Sequence, residues 1–411
     1  MVSETIELRG HIIDSLILPK VLDEILRAGG TFKIEQIKIG QRRADQSRAR
    51  IEVSAPSTES LDELILRLRQ HGAEVAKRAD AQLAKAPADG VFPHDFYVTT
   101  NQQTFVHLKG KEIEVRPVMM DSAIAVDRAR ANARAVKFFD ARKGDEIVVG
   151  HQGIRVVPVQ RTTSHTDIFQ FINASIAADE PKSAVIRELA AELRRVRSSG
   201  GKIAVVAGPA IVRTGAGEHL ERLIELGFID RLFAGNAFVV FDVERALFGT
   251  SSGVSAERAV APVGHQNQMR AVNLLRQTGG VASAVEKDIV ARGVMHACIR
   301  HNVDVVLTGS IRDEGPVPGV TTDIVEGQKI MRDKLADITH VLLLSTLEHS
   351  LAVAAMLGPT VKTVCVDINS AAVNRAIEQQ PLQSIGLVTD VEPFLRELAD
   401  CLSDDDDDAQ K

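Results

Sequence analysis

The chain has few cysteines: Cys298, Cys365 and Cys401 are the only ones among 411 residues. Three widely spaced thiols cannot form a disulfide framework or a four-thiolate zinc site. His296, Cys298 and His301 are close in sequence, but on a helix these spacings point to different sides of the axis. We therefore predict no metal site.

The sequence also lacks long apolar runs and a strong excess of charge. No stretch has the uninterrupted apolar length of a membrane helix, and the first residues lack the basic-then-apolar order of a signal peptide. The formal net charge is −6, and five consecutive aspartates at 404–408 supply most of it. Without these aspartates the net charge of the chain is close to zero, which argues against non-specific nucleic-acid binding. We predict a cytoplasmic protein without membrane or nucleic-acid partners, and a disordered acidic tail at 403–411.

A glycine-rich stretch in the second half of the chain is typical of a nucleotide site. The apolar segment Lys202–Val212 is predicted to be a strand, and Gly215 and Gly217 lie between it and an amphipathic helix from His219. Such a crossover presents free backbone N–H groups and the positive end of a helix to a phosphate. The same pattern also occurs in ordinary turns, so alone it leaves both interpretations open.

Further apolar runs downstream favour the nucleotide interpretation. Each is short and ends in small or acidic residues: Phe233–Ala234, Val303–Ser310, His340–Ser350, Val361–Asn369 and Ser384–Asp390. Runs of this kind are typical of parallel strands that are buried on both faces and carry ligand groups at their carboxyl ends. We predict an α/β fold for residues 162–402, with an open parallel sheet and a ligand crevice.

The first part of the chain alternates differently. Residues 1–90 read as strand, helix, two strands, helix and strand, the split βαβ order of ferredoxin-like α+β modules. A segment with two prolines and a glycine, 87–96, precedes a β-rich subdomain at 91–161. Exposed sheet edges in a split βαβ module favour pairing between copies, so we predict a homo-oligomer.

Several blocks in this order resemble one enzyme family. They are Gly208–Gly217, Ala234–Val254, Gly264–Asn273, Gly309–Asp323, Leu344–Ser350 and Val361–Asn369. Together they are similar to the archaeal-type, NAD-dependent ornithine cyclodeaminases, and the N-terminal third resembles their LOR/SDH domain. More distantly, the C-terminal part resembles the Rossmann-like NAD-binding fold of deoxyhypusine synthase.

The resemblance implies a set of NAD contacts. Beside the glycine turn of Gly215 and Gly217, these are Asn236, Ala237, Asp313, Ser345, Thr346, Leu347, Glu348, His349, Asp367, Asp390 and Val391. Strand-end hydroxyls before a helix suit a pyrophosphate, and strand-end carboxylates suit ribose hydroxyls. The chain departs from the family pattern at Leu347, Glu348 and Gln268, where methionine, leucine and histidine are usual. A carboxylate at Glu348 would be unfavourable beside a pyrophosphate.

The implied reaction converts L-ornithine to L-proline and ammonia with internally recycled NAD. Arg312, with Arg116 as second choice, is the candidate for binding the substrate carboxylate, because guanidinium suits bidentate contacts. His265 and His349 are candidates for proton transfer. Asp121 is the candidate for the distal amine.

Each of these side chains also has an ordinary structural interpretation, as an ion pair, a hydrogen-bonded histidine or a turn former. Three alternatives to the ornithine reaction stay open at this point. They are an enzyme for lysine or another diamino acid, a non-catalytic sensor of NAD and amino acid, and NAD-consuming chemistry.

Overall fold

The computed structural model describes residues 2–13, 16–40, 45–57, 60–61, 64–65, 67–68, 71–75, 80–129, 131–157, 182–252, 254–255, 264–313, 315–379 and 383–403. It divides into two compact units, Met1–His165 and Thr166–Lys411.

The first unit begins with a four-stranded antiparallel sheet. Its strands are β1 (Val2–Gly10), β2 (Thr31–Lys38), β3 (Ser47–Ala55) and β4 (Glu74–Val75), in the order β2-β3-β1-β4. Helix α1 (Ile17–Arg27) connects β1 to β2, and helical residues within 60–68 precede β4. Ile25, Ile51 and Leu68 lie in the apolar core between helices and sheet. This order and connectivity confirm the predicted ferredoxin-like module.

Two further sheets form the rest of the first unit, as predicted for a β-rich region. The first has the order β5-β10-β8-β9, and the second has the order β11-β6-β7. Their strands are β5 (Gln82–Lys85), β6 (Gln103–Leu108), β7 (Lys111–Glu114), β8 (Ala123–Asp127), β9 (Asn132–Val136), β10 (Glu146–Val149) and β11 (Ile154–Val157). A short 3₁₀ helix, Phe138–Asp140, follows β9.

The second unit contains a six-stranded parallel sheet. Its order is β16-β13-β12-β17-β18-β19. The strands are β12 (Ile203–Ala207), β13 (Arg231–Gly235), β16 (Asp304–Thr308), β17 (His340–Leu344), β18 (Lys362–Asp367) and β19 (Ser384–Val388). Strands β14 (Thr250–Ser251) and β15 (Val254–Ser255) form a separate two-stranded pair.

Helices cover both faces of the parallel sheet. In chain order they are α2 (Lys182–Ser198), α3 (Ala210–Thr214), α4 (Gly217–Glu225), α5 (Asn236–Phe248), α6 (Gly264–Thr278), α7 (Val281–Glu286), α8 (Val294–Arg300), α9 (Ile324–Leu335), α10 (Glu348–Met356), α11 (Ser370–Glu378) and α12 (Val391–Ser403).

Alternate side chains of each strand enter two separate apolar cores, as the pleat requires. In β17, Leu342 and Leu344 belong to the larger core with α2, α5 and α12, whereas Val341 and Leu343 belong to the smaller core with α9, α10 and α11. Burial on both faces explains why the strands read as continuous apolar runs. The α/β class and the Rossmann-like parallel sheet are confirmed.

The predicted strand at Lys202–Val212 is too long. β12 ends at Ala207, and the helix α3 follows it directly because Pro209 supplies a φ of −65° at the helix start. Ile211 and Val212 are buried helix residues, and their apolar character continues the strand pattern in the sequence. The glycine pair therefore does not follow the strand; Gly215 ends α3 with a φ of 94°.

Candidate functional site

The strand order places a ligand crevice at a defined point of the second unit. Numbered within the sheet, the strands run 3-2-1-4-5-6, the order of dinucleotide-binding doubly wound folds. The order reverses between β12 and β17, and ligands of such sheets bind beyond the carboxyl ends of the strands near this reversal. A cavity of about 670 Å³ lies there, lined by the ends of β12, β13 and β16, by residues that follow these strands, and by the turn after β17.

Where the strand order reverses, the backbone after β12 lies very close to the backbone at the end of β17. The Gly208 N–H donates to the Leu344 carbonyl at 2.9 Å, and a Cβ at Gly208 would lie 1.9 Å from the Ser345 carbonyl oxygen. Ser345 has a φ of 50° and donates its N–H to the Val366 carbonyl at 2.9 Å. Only glycine fits at position 208, and this contact sets the path of the turn at Ser345.

The turn after β17 leads into α10 and forms one wall of the cavity. Thr346 and Leu347 line it together with Glu348 and His349 in the first turn of the helix. No side chain caps this helix at Leu347, so its first N–H groups and positive dipole end are available to an anion. The wall therefore suits a phosphate group.

The turn from β13 into α5 forms the opposite wall. Gly235 ends the strand, and Asn236 and Ala237 begin the helix and line the cavity. Asn236 is buried, and its Oδ1 accepts the Val317 N–H at 3.0 Å. Its side-chain oxygen therefore anchors the neighbouring loop, whereas its amide nitrogen and backbone remain for a ligand.

The half-buried side chain of His349 connects the α10 wall to the end of β16. Its Nε2 is 2.8 Å from Thr308 Oγ1 at the end of β16, and a Cβ on Gly235 would lie 3.1 Å from its Cε1. Burial lowers the pKa of this residue, His349, although Glu348 partly offsets the effect. The imidazole is therefore neutral at pH 7 and can both donate and accept a proton.

The loop after β16 carries two charged residues, Arg312 and Asp313, at the rim of the cavity. Asp313 Oδ2 accepts the Ser310 N–H at 2.7 Å, and Ser310 Oγ accepts the Arg312 N–H at 3.1 Å. These hydrogen bonds join residues of the same loop and fix its conformation. Arg312 is exposed and lines the cavity, so its guanidinium is available to a carboxylate.

A second, smaller cavity of about 270 Å³ adjoins the first. Both are lined by Thr308, Ser310, Glu348 and His349, so these side chains form their common boundary. The smaller cavity continues between α9 and α10, where Met331 and Ala352 line it. The two cavities together form one composite site in the second unit.

The other predicted cofactor residues lie outside the walls of the large cavity. Asp367 is the last residue of β18, and its Oδ1 accepts the Asn369 N–H at 2.8 Å. Asp390 follows β19 and caps α12 through the Glu392 N–H at 3.1 Å, and Val391 is buried in that helix.

The predicted glycine turn lines a third, separate cavity. Gly215 and Gly217 border this space of about 410 Å³, together with Asp242. Asp242 is fully buried and accepts the N–H groups of Val294 and Met295 at 3.0 and 2.8 Å. Burial raises its pKa to about 7.

Three predicted catalytic residues are not among the described residues that line this site. Arg116 belongs to the first unit, where it pairs with Glu114 at 2.5 Å. Asp121 is also in the first unit; it has a φ of 53° and donates its N–H to the Thr99 carbonyl at 3.0 Å. His265 belongs to α6, but its side chain lies outside the described residues. Gln268 of the same helix lines the large cavity.

Sequence reasoning missed several residues of the site, among them Thr308 and Arg213. Thr308 ends β16 and bonds to His349, and its position at a strand end was the available signal. Arg213 lines the large cavity from α3, a short helix that the sequence analysis did not predict. Among the described residues, no group of three or more His, Cys, Asp or Glu side chains could hold a metal ion, and none of the described helices is long and apolar enough to cross a membrane.

Three family descriptions match the chain in succession. Residues 3–102 match the LOR/SDH bifunctional enzyme conserved region, 103–186 the first C-terminal region of ArgZ-like arginine dihydrolases, and 187–398 their C-terminal Rossmann fold.

Relatives of similar length are enzymes of one kind. The chain is 42% identical over 396 residues to an ornithine cyclodeaminase of Methanothermobacter thermautotrophicus, with 96% of each chain covered. It is 44% identical over 403 residues to that of Methanocaldococcus jannaschii, covering 96% of this chain and 95% of the relative.

Solved structures agree with these relatives. The apo structure of ArgZ, a cyanobacterial arginine dihydrolase, is 33% identical with a TM-score of 0.84; the match covers 98% of this chain and 58% of ArgZ. A complex of AgrE with ornithine and NAD⁺ is 37% identical with a TM-score of 0.52, covering 98% of this chain and 58% of AgrE.

Proposed function

Because the chain belongs to the archaeal-type ornithine cyclodeaminase family, we propose that it is an NAD-dependent enzyme that converts L-ornithine to L-proline and ammonia. The observation that carries the proposal is the position of the composite site. It lies at the reversal of a 3-2-1-4-5-6 sheet, in a chain whose relatives with this activity match it over 96% of its length.

The described residues fit a bound NAD. The large cavity has the volume of a cofactor site, and the free amino end of α10 and the close approach at Gly208 suit a pyrophosphate. Asn236, Ala237, Thr346, Leu347 and the other large-cavity residues predicted from the sequence would hold it. When bound, NAD supplies reversible hydride transfer at the substrate α-carbon, so the overall reaction needs no external oxidant.

Asp367, Asp390 and Val391 stay proposed as further cofactor contacts, because Asp367 ends β18 and the other two follow the adjoining strand β19. For Gly215 and Gly217 we keep the sequence-based proposal that their turn contacts a phosphate of the cofactor, although they line a separate cavity.

The residues of this chain then have to hold the substrate and move protons. We assign Arg312 to the substrate carboxylate, since its exposed guanidinium borders the cavity. His349 is neutral at pH 7 and can accept a proton from a substrate amine, and Thr308 fixes the orientation of its ring. His265, Arg116 and Asp121 remain candidates for further contacts to the substrate.

The arrangement of the whole chain is also part of the proposal. We assign residues 1–90 to the LOR/SDH module, 91–161 to the β-rich subdomain, 162–402 to the NAD-binding domain and 403–411 to the tail. A homo-oligomer is proposed because β2 is an edge strand of the first sheet. A cytoplasmic location is also proposed, from the sequence analysis alone.

A turnover experiment tests the reaction. Purified protein is incubated with L-ornithine and less NAD than substrate, and proline and ammonia are assayed together. We expect equal amounts of both, well above the amount of NAD added, because the hydride returns to the product. Proline without matching ammonia, or no product despite NAD binding, would contradict the proposal. L-lysine and free nicotinamide are measured in parallel to test a different diamino acid and NAD-consuming chemistry.

A further inference from the structure

The third cavity of the second unit is not used by the proposed reaction. Its volume is about 410 Å³, and α4, α5 and the residues before α8 line it. On α3, Val212 borders this space, whereas the next residue, Arg213, borders the large cavity. On α5, Asp242 borders this space and Phe241 borders the large cavity. These two helices therefore separate the third cavity from the composite site.

Two arginines of this cavity have no ion pair with any of the residues that the structure describes. Arg245 is half-buried, and its Nη1 donates to the Val212 carbonyl at 2.7 Å. Arg292 is exposed, and its Nε donates to the Ala246 carbonyl at 3.1 Å. A guanidinium has five N–H donors, so each arginine keeps most of its donors for a ligand. A carboxylate inside the cavity would meet two cations that suit it.

The same cavity offers a carboxylate to a cation. Glu221 Oε2 accepts the Gly293 N–H at 3.2 Å, and its other oxygen has no partner among the described residues. Asp242 is already occupied, because both of its oxygens accept backbone N–H groups of α8. Burial raises the pKa of Glu221, and the charges of Glu225 and Glu218 raise it further. A cation beside Glu221 would stabilise its charged form.

This arrangement of charges matches a zwitterion. An α-amino acid carries a carboxylate and an ammonium on one carbon, and the cavity has two guanidinium groups and the Glu221 carboxylate for them. Val212 and Ala246 add apolar surface for a side chain. A free phosphate would also attract the arginines, but it would be repelled by the carboxylates of Glu221 and Glu218. The lining therefore favours an amino acid over a purely anionic ligand.

We propose that the third cavity is a second, non-catalytic binding site for a free α-amino acid, with its carboxylate at Arg245 and Arg292 and its ammonium at Glu221. L-ornithine and L-proline, the substrate and the product of the proposed reaction, both have this chemistry. The proposal concerns these three side chains and not the backbone of the glycine turn, whose proposed phosphate contact is tested by NADH binding below.

Counting the amino acid bound to protein saturated with NADH tests the site without turnover, because the reduced cofactor cannot accept a hydride. Radiolabelled L-ornithine and L-proline are measured separately by equilibrium dialysis. We expect at least one of them to occupy two sites per chain, one in the composite site and one in the third cavity. The amino acid that fills the second site is thereby identified as its ligand.

Single variants assign each of the two sites. Arg292→Gln should weaken binding at the third cavity about 10- to 100-fold, the typical effect of losing a charged hydrogen bond, and leave one site. Arg312→Gln should remove the other site and retain this one. Glu221→Gln keeps an oxygen for the Gly293 N–H but loses the charge, so it should act like Arg292→Gln and serves if that variant does not fold.

A matched control changes an arginine of the same region outside the cavity. Arg300 is exposed at the end of α8 and pairs with Asp288 at 3.1 Å, so Arg300→Gln should retain both amino acid sites. NADH affinity should equal that of the wild type in Arg292→Gln, Glu221→Gln and Arg300→Gln.

Three results would overturn the inference. They are a wild type with no amino acid site that Arg292→Gln or Glu221→Gln weakens, an equal loss in Arg300→Gln, and weakened NADH binding in folded Arg292→Gln, which would assign the cavity to the cofactor. A site that Arg292→Gln removes and Arg312→Gln retains supports the inference even if the protein forms no proline, so failure of the proposed reaction is distinguishable.

Discussion

Thr308 and His349 form the hydrogen bond at the boundary of the two cavities, at 2.8 Å. We expect Thr308→Val to lower the free energy of unfolding by about 0.5–1.5 kcal/mol, because valine keeps the shape but removes the hydrogen-bond partner of a half-buried ring nitrogen. Urea unfolding at pH 7.5 measures the loss. Thr308→Ser retains the hydroxyl and is the matched control; equal stability of the valine and wild-type proteins would show that the bond contributes nothing.

Asp242 should give the protein an unusual pH dependence. Its pKa is raised from 3.8 to about 7 by burial, so between these values the folded protein binds a proton that the unfolded chain has released. Stability from this group is therefore present at low pH and is lost as the pH rises toward 7. Relative to Asp242→Asn, we expect the wild type to lose roughly 1.4 kcal/mol per pH unit over this window.

The quantity to measure is the difference in free energy of unfolding between the wild type and Asp242→Asn, because His349 contributes a pH dependence of the opposite sign. Its lowered pKa means that stability falls as the pH drops below its ordinary value of 6.5. Subtracting two urea-unfolding series from pH 5 to pH 8 removes that common contribution. A difference that does not change with pH would show that Asp242 is ionised throughout.

Residue types at strand ends could be predicted from the sequence, but their partners could not. The resemblance pointed to Asn236, Asp313 and His349, and the structure places all three around the large cavity. Nothing in the sequence shows that Asn236 Oδ1 binds the Val317 N–H, since the two residues are 81 positions apart. Such contacts depend on the strand order, which side-chain periodicity does not report.

At the scale of elements, the contact between the β12 and β17 turns is the most sensitive feature. Gly208→Ala would place a methyl group 1.9 Å from the Ser345 carbonyl oxygen, so one backbone has to move. We expect this variant to lose most NAD binding, measured by calorimetry, and to unfold at a lower temperature. Gly358→Ala is the control, because a Cβ there meets no atom within 4 Å. NAD affinity at the wild-type level in Gly208→Ala would contradict the assigned position of the cofactor.

Strand existence was predictable at this scale, whereas strand ends were less so. β17 and β18 are buried on both faces and read as apolar runs, so the sequence identified them. Lys202–Val212 was misread because a buried helix turn, Ile211 and Val212, directly follows β12. Periodicity cannot separate a short buried helix from the end of a buried strand. Pro209 was the signal for the boundary.

At the scale of the whole molecule, the chain combines two compact units with different fold classes. The sequence predicted both, because a split βαβ order and a series of buried parallel strands leave different patterns. The 3-2-1-4-5-6 order could not be read from the runs themselves, since each run is equally apolar. It emerges from which strands pair, and this pairing positions the composite site.

The placement of the site in one unit predicts how NAD affects unfolding. A ligand that binds only the folded state stabilises the part that binds it, by about 2.7 kcal/mol when its concentration is 100 times its Kd. The large cavity is lined entirely by described residues of the second unit. We therefore expect calorimetric unfolding of the full chain to show an NAD-dependent rise in the transition temperature of that unit.

Gly208→Ala should lose this rise in transition temperature, and Gly358→Ala should retain it. Protease digestion during the scan assigns each transition through the fragments it releases. If NAD raised only the transition assigned to Met1–His165, the cofactor would have to bind elsewhere, because a site in the second unit cannot stabilise the first without also stabilising its own fold.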